Sequence, residues 1–329
     1  MITRRAFVRG RLRDLGLALF IVMLAAAIQA RNPAFLTASN ISALLTNTSI
    51  LAILAVGMMM VLVTRGIDLS IGATIAFSGM VTALTVVRFP GIHPVAALAQ
   101  GTAVGAVVGA IIGVLVARFD ILPIIATLGM MNVVRGFTYV VSGGQWVSSY
   151  QMSDEFKAIA TGRLLGVNNL IVMAVVIYVA AFYFLNHTRT GRRIYAIGSS
   201  PRAASISGIP RRSLTLLVYT VMGGLAGLAG VLWVARFASA QGNTAIGFEL
   251  QVIAACILGG VSISGGVGTL SGIILGTILL GMLNNALPLI NVSPFWQMGI
   301  QGVIVLTAVI TNVVVQRATE RRALLRRGI

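Results

Sequence analysis

The 329 residues are 57% hydrophobic and only 9% charged, with a mean hydropathy of +0.97. A soluble domain carries about 25% charged residues, so this chain cannot cover itself with a wettable surface, which excludes an ordinary soluble enzyme, a disordered tail and a secreted disulfide scaffold. The net charge of +17 comes almost wholly from arginines set in short breaks between apolar runs, a placement that meets phospholipid and argues against nucleic acid.

Crossing a bilayer core of roughly 30 Å takes about 20 apolar residues. Ten runs qualify, near 15–30, 42–64, 69–87, 94–117, 121–141, 168–186, 214–236, 250–264, 269–290 and 295–315. The expectation is therefore an all-α polytopic membrane protein, one transmembrane domain over 1–329, whose short first and eighth runs suit tilted or re-entrant segments. Arg4, Arg5, Arg9, Arg11 and Arg13 precede the first run. A signal peptide opens in the same way, but no small-residue cleavage site leads into a soluble domain, so an uncleaved first helix with a cytoplasmic N-terminus is expected. Ten spans then return the C-terminus to the cytoplasm. The arginines at 317, 321, 322, 326 and 327 agree, as do Arg65, Arg118, Arg189, Arg192, Arg193, Arg202, Arg211 and Arg212 in inner loops.

The second span holds Asn47, and Asp68 at the start of the third reads as a helix N-cap. Gly101, Gly105, Gly109 and Gly113 give the fourth span three successive GxxxG steps, a bare ridge ~18 Å long against which another helix must lie. Gly223 with Gly227, and Gly272 with Gly276, repeat the device. In the fifth span Asn132, Arg135 and Tyr139 share one face. A mid-bilayer arginine costs about 2.5–3.5 kcal/mol on insertion scales. That face therefore either lines a polar path or lets Arg135 snorkel toward the outer headgroups.

An outer loop follows over 142–167, with a Gly143-Gly144-Gln145-Trp146 turn. Trp146, Trp233 and Trp296 all fall at outer span ends, as an interfacial belt or as stacking surfaces of an outer vestibule. The inner loop 187–213 contains Gly198-Ser199-Ser200-Pro201, a helix start with Ser200 at the N-cap and Pro201 at the first helical position. Gly208 then ends the helix and Pro210 prevents its continuation, giving a two-turn cytosolic helix over about 201–207. It is either a docking element or a headgroup-bound connector. Glu249, before the eighth span, reads as an N-cap or a vestibule residue. Asn284 and Asn285 in the ninth span and Gln297 and Gln301 in the tenth suit helix–helix bonding as well as a path.

Several chemistries have no residues to carry them. There is no G-x-x-x-x-G-K-[ST] loop, and the single lysine, Lys157, follows Ser153-Asp154-Glu155-Phe156, so any ATP hydrolysis belongs to another subunit. His93 and His187 have no Cys or carboxylate at ligand spacing, so no metal and no cofactor are expected. Without G-x-S-x-G or paired catalytic carboxylates the chain does not read as an enzyme. The one cysteine, Cys256, lies in an apolar run and packs as a small residue. All seven acidic residues read as span ends or loops, which argues against a proton- or sodium-coupled carrier, although cation sites built from carbonyls escape such a count. The polar positions within spans argue against a purely structural or assembly protein.

Three stretches together resemble the ribose-type permease family of ATP-binding-cassette importers, which carry pentoses, deoxyhexoses and autoinducer-2. They are Thr64 to Gly72 (TRGIDLSIG), Tyr195 to Ile209 (YAIGSSPRAASISGI) and Glu249 to Gly272 (ELQVIAACILGGVSISGGVGTLSG). Ser199-Ser200 departs from a Gly-Asn-like pair more usual in the family, and the 143–146 turn is more similar to rhamnose and autoinducer-2 permeases. The resemblance implies a multi-pass permease of the bacterial inner membrane that pairs with a second copy or a sister subunit. Cassette ATPases would dock on Gly198, Ser199, Ser200, Pro201, Arg202, Ala203, Ala204 and Gly208. A periplasmic or extracellular binding protein would deliver a rhamnose- or ribose-like sugar. Candidate path residues are Asn47, Asn132, Arg135, Tyr139, Asn284 and Asn285, with Trp146 and Glu249 at the outer vestibule.

Overall fold

The computed structural model describes residues 2–290 and scattered positions between 293 and 310, with side chains from Arg13 onward. Eight helices among the described residues are long and apolar enough to cross a membrane. These are α1 (Ile2–Arg31), α2 (Ala38–Val63), α3 (Ile71–Arg88), α4 (Pro94–Ala117), α5 (Pro123–Ser142), α7 (Asn169–His187), α10 (Arg211–Phe237) and α12 (Leu270–Leu289). Between them lie α6 (Asp154–Thr161), α8 (Arg189–Ser199), α9 (Pro201–Ile206) and α11 (Phe248–Leu258). One minimal hairpin breaks the all-α rule. β1 (Arg163–Leu164) pairs antiparallel with β2 (Val167–Asn168) across Leu165 and Gly166, both left-handed.

Two expectations are corrected, and the expected shortness of the eighth run holds. The first helix runs further than its apolar run: it extends from Ile2 to Arg31, since arginine and leucine both favour helix, with Arg13–Arg31 the part apolar enough to cross a membrane. The eighth span is an 11-residue helix of ~16 Å, about half a crossing. The outer loop holds α6 and the inner loop holds α8, since each has an apolar stripe that the polar composition hides. The tenth span, with Gln297 and Gln301, lies outside the continuously described residues, as does the basic tail.

The expected glycine ridge is present and occupied. α4 and α10 run antiparallel in backbone contact: a Cβ on Gly105 would strike the Gly223 carbonyl and one on Gly109 the Tyr219 carbonyl. Glycines answer from the other side, because a Cβ on Gly227 would strike the Gly101 carbonyl. α3 joins the same seam, with Ser78 Oγ donating to the Gly227 carbonyl at 3.1 Å. Gly272 and Gly276 likewise bring α12 onto the end of α11 at Gly259 and Ala255. The main apolar core gathers α2, α3, α10 and α11, whereas α1 packs peripherally, Ile28 meeting Met282 and Ala286 of α12.

Candidate functional site

The chain between α10 and α11 does not stay on the outer rim. Ala238 turns left-handed at the end of α10 (φ 50), and Ala240 then pairs with Val147 of the outer loop through two 3.0 Å bonds. Gly242 lies under the Tyr139 ring. Arg135 Nη1 donates to the Gly242 carbonyl at 2.7 Å and to the Thr244 carbonyl at 2.8 Å. Ala245 then touches the first turn of α3 at Gly72. The partners pass from the outer loop, down α5 from Tyr139 to Arg135, to the start of α3, so residues 238–247 descend into the bundle, first as a bridge at Ala240 and then as consecutive turns over 242–247. From Ser142 to Arg135 alone the drop is ~10 Å. Gly247 (φ 78) then starts α11 at depth. Carbonyls without a partner at that depth cost several kcal/mol each, and the Arg135 guanidinium satisfies two of them.

Glu249 sits in the first turn of α11, not at the outer rim beside Trp146. Its Oε2 lies 2.6 Å from the point where a Cβ of residue 72 would stand, and the Ala245 carbonyl, which would strike that Cβ from the backbone, leaves room there only for glycine. At a helix N-terminus its negative charge is favoured by the helix dipole. Asp68 is not the N-cap of α3, a position held by Ser70. Its Oδ1 accepts from the Ser70 N–H at 2.8 Å and the Ser70 hydroxyl at 2.6 Å, which closes a local Asx turn.

On the inner side, the short helix appears where its caps place it. Ser200 Oγ accepts from the Ala203 N–H at 3.3 Å, and Pro201 opens α9. Gly208 (φ 69) closes it, as the Gly208 and Ile209 N–H groups return to the Ser205 and Ala204 carbonyls. The helix ends at Ile206, one residue earlier than expected. Gly198 and Ser199 belong instead to the end of α8, whose buried residues Gly191, Ile194, Ile197 and Gly198 form a stripe. Ala204 packs on Ile197 of α8 and Leu214 of α10. Arg202, Ala203 and Ile206 face outward, with Ile206 81% exposed.

Residues 40–309 match the family model described as "Branched-chain amino acid transport system / permease component". The chain belongs to this permease family. The permease is also 40% identical over 311 residues to the ribose import permease protein of Escherichia coli (strain K12), covering 94% of this chain and 96% of the relative. It is 38% identical over 309 residues to the ribose import permease protein of Bacillus subtilis (strain 168), covering 94% and 95%. Against the L-arabinose ABC transporter permease protein of Azospirillum brasilense it is 36% identical over 310 residues, covering 94% and 89%. No solved structure matches it.

The remaining candidate positions of the permease divide between two situations. Asn132 and Tyr139 stand exposed on α5, and Asn132 Nδ2 bonds its own helix at the Leu128 carbonyl (3.1 Å). Gly129 and Gly136, on the same open side, have nothing within 4 Å of a built Cβ. By contrast, Asn285 and Asn40 exchange two 3.0 Å bonds that tie α12 to α2. Asn47, about three turns into α2, accepts from Arg236 at the end of α10 at 3.1 Å. Asn284 lies half-buried beside Asn285 on α12. The six candidates therefore do not converge on one surface of a single chain. Trp146 is 62% exposed, while Trp233 packs against Phe237 and Phe248. His93 Nδ1 caps α4 by accepting from the Val95 N–H, and His187 stacks on Tyr183.

Proposed function

We propose that the chain is the permease subunit of an ATP-driven importer in the bacterial inner membrane. It moves a monosaccharide of the ribose, arabinose or rhamnose class by alternating access. The named relatives support the sugar class, and the carrying observation is α9: a capped, outward-facing helix on the arginine-rich side of a chain with no nucleotide loop of its own. Cassette ATPases dock on the 198–208 segment. Closing of the ATPase pair around ATP tilts α9 and α8 and switches the bundle from outward to inward access. ATP hydrolysis belongs to that separate subunit. A soluble binding protein delivers sugar at the outer face, so no tight site within the membrane is required.

A second permease, identical or sister, meets the open face of α5. That face carries small and polar groups at membrane depth (Gly129, Asn132, Gly136), whereas the exposed large side chains in the middle of α7 are Val175, Val176, Val179 and Phe182, with Tyr183 nearer its end. Sugar passes between the two α5 faces. Autoinducer-2 is the second substrate reading, favoured by the 143–146 turn and its exposed Trp146.

The test is a pull-down of the tagged permease in mild detergent with mass spectrometry of all retained proteins. A cassette ATPase is expected. Recovery of the chain alone, repeated after crosslinking in the membrane, overturns the reading in favour of a self-sufficient carrier, which would also lose uptake to an uncoupler at constant ATP. Gly208→Trp forces a bulky side chain into the left-handed region, so the ATPase should be lost while membrane levels hold. Normal co-purification of the ATPase with that variant sinks the docking assignment. Competition among ribose, arabinose, rhamnose and autoinducer-2 for uptake assigns the substrate.

A further inference from the structure

Three chain segments far apart in sequence are locked together where α8 ends. Arg65, itself left-handed (φ 66), follows directly on the end of α2. Its Nε donates to the Gly198 carbonyl at 2.7 Å and its Nη2 to the Ser199 carbonyl at 3.3 Å. These are among the last carbonyls of α8, which have no partner within the helix, and a cation there also complements the helix dipole. The Val63 carbonyl at the end of α2 accepts from the Gly266 N–H at 2.9 Å. The Tyr195 hydroxyl of α8 donates to the Gly268 carbonyl at 3.0 Å.

Glycines make the approach close enough. A Cβ on Gly198 would strike the Val63 carbonyl, and one on Gly266 would lie 2.6–2.7 Å from Ser199 atoms. The Arg65 stem packs against Gly265. The joint thus binds α8 both to α2 and to the 262–268 loop, which connects the half-length α11 to α12. α9 follows one residue later, held by the small separate cluster around Ala204.

We infer that Arg65 and Tyr195 are positioning residues that couple ATPase-driven movement of α9 to the bundle. Movement of α9 turns α8, and the joint hands that turn to α2 and, through the 262–268 loop, to α11, whose leading segment Arg135 holds at Gly242 and Thr244. α10, which packs on α4, also borders the joint, through Leu214 against Ala204 and through the Tyr219 hydroxyl on the Ile67 carbonyl. Without the joint, α9 moves while the membrane segments do not, so ATP is spent without sugar crossing.

The inference rests on the importer reading, so the experiment uses the assembled importer of permease, ATPase and binding protein in vesicles. The probe is radiolabelled ribose or arabinose, whichever the wild type takes up, and the readout is sugar moved per ATP hydrolysed. Arg65→Ala should keep the ATPase bound and hydrolysing while that ratio falls about tenfold, the size of a typical inter-site coupling. Tyr195→Phe removes one hydroxyl and no volume, and should lower the ratio about threefold. Should Arg65→Ala fail to reach the membrane, Tyr195→Phe decides alone. An unchanged ratio in Tyr195→Phe, or loss of the ATPase from Arg65→Ala, overturns the inference, the latter by making Arg65 part of the docking surface. A wild-type chain that retains no ATPase overturns the importer reading itself and is recognised before any variant is compared.

Discussion

Two helices of this protein carry glycines on a face at membrane depth, and only one of the faces is filled. On α4 every second turn or closer meets backbone of α10, so the bare stripe is used up within the chain. On α5 the glycines at 129 and 136 meet nothing, while the opposite side of the helix packs on α3 through buried Val134 and Thr138. Small residues at a helix surface therefore do not by themselves say what they pack against. The closed stripe builds the frame of one subunit, and the open one is what remains for another chain or a passing solute.

That contrast can be broken by substitution. Gly105→Leu drives a side chain into the backbone of α10, an overpacking cost of about 3 kcal/mol, and the chain should vanish from the membrane on immunoblots. Arg135→Ala strips the descending segment of its donor and leaves the 242 and 244 carbonyls bare, costing about 2 kcal/mol; uptake should fall while the ATPase remains bound. Unchanged uptake would mean that water already satisfies those carbonyls. Gly136→Leu finds nothing within 4 Å of its Cβ and gains helix propensity of nearly 1 kcal/mol. Membrane levels should thus hold or rise while uptake drops, and normal uptake would return that face to lipid. Tyr139→Phe keeps the ring over Gly242 and removes only an exposed hydroxyl, so uptake should change less than twofold.

The sequence made the closed ridge readable because glycine at four-residue spacing has few other uses in an apolar helix. It also made α9 readable, since Ser200, Pro201 and Gly208 are each a terminus signal with its own mechanism. It could not reveal the descent of residues 238–247. That segment reads as an outer loop, and the partners that hold it at depth are carbonyls, which every residue possesses. For the same reason the sequence leaves Arg135 between a path-lining and a snorkelling role: its acceptors leave no mark in side-chain identity. α8 was hidden because Arg189, Arg192 and Arg193 dominate its composition, although Thr188 as N-cap and the buried spacing from Gly191 to Gly198 signal it. The three-residue face on α5 was legible as a face; which molecule it meets is a property of the assembly.

The lone cysteine has a practical consequence. Cys256 is fully buried on α11, and its thiol donates to the Ala55 carbonyl at 3.4 Å. Reagents arriving from water do not meet it, so the natural chain already behaves as a cysteine-free background. A thiol introduced at exposed Gly136 or Ile206 would be the only one to take a label, and spectroscopic rulers could time the inner helix against the α5 face without first rebuilding the protein.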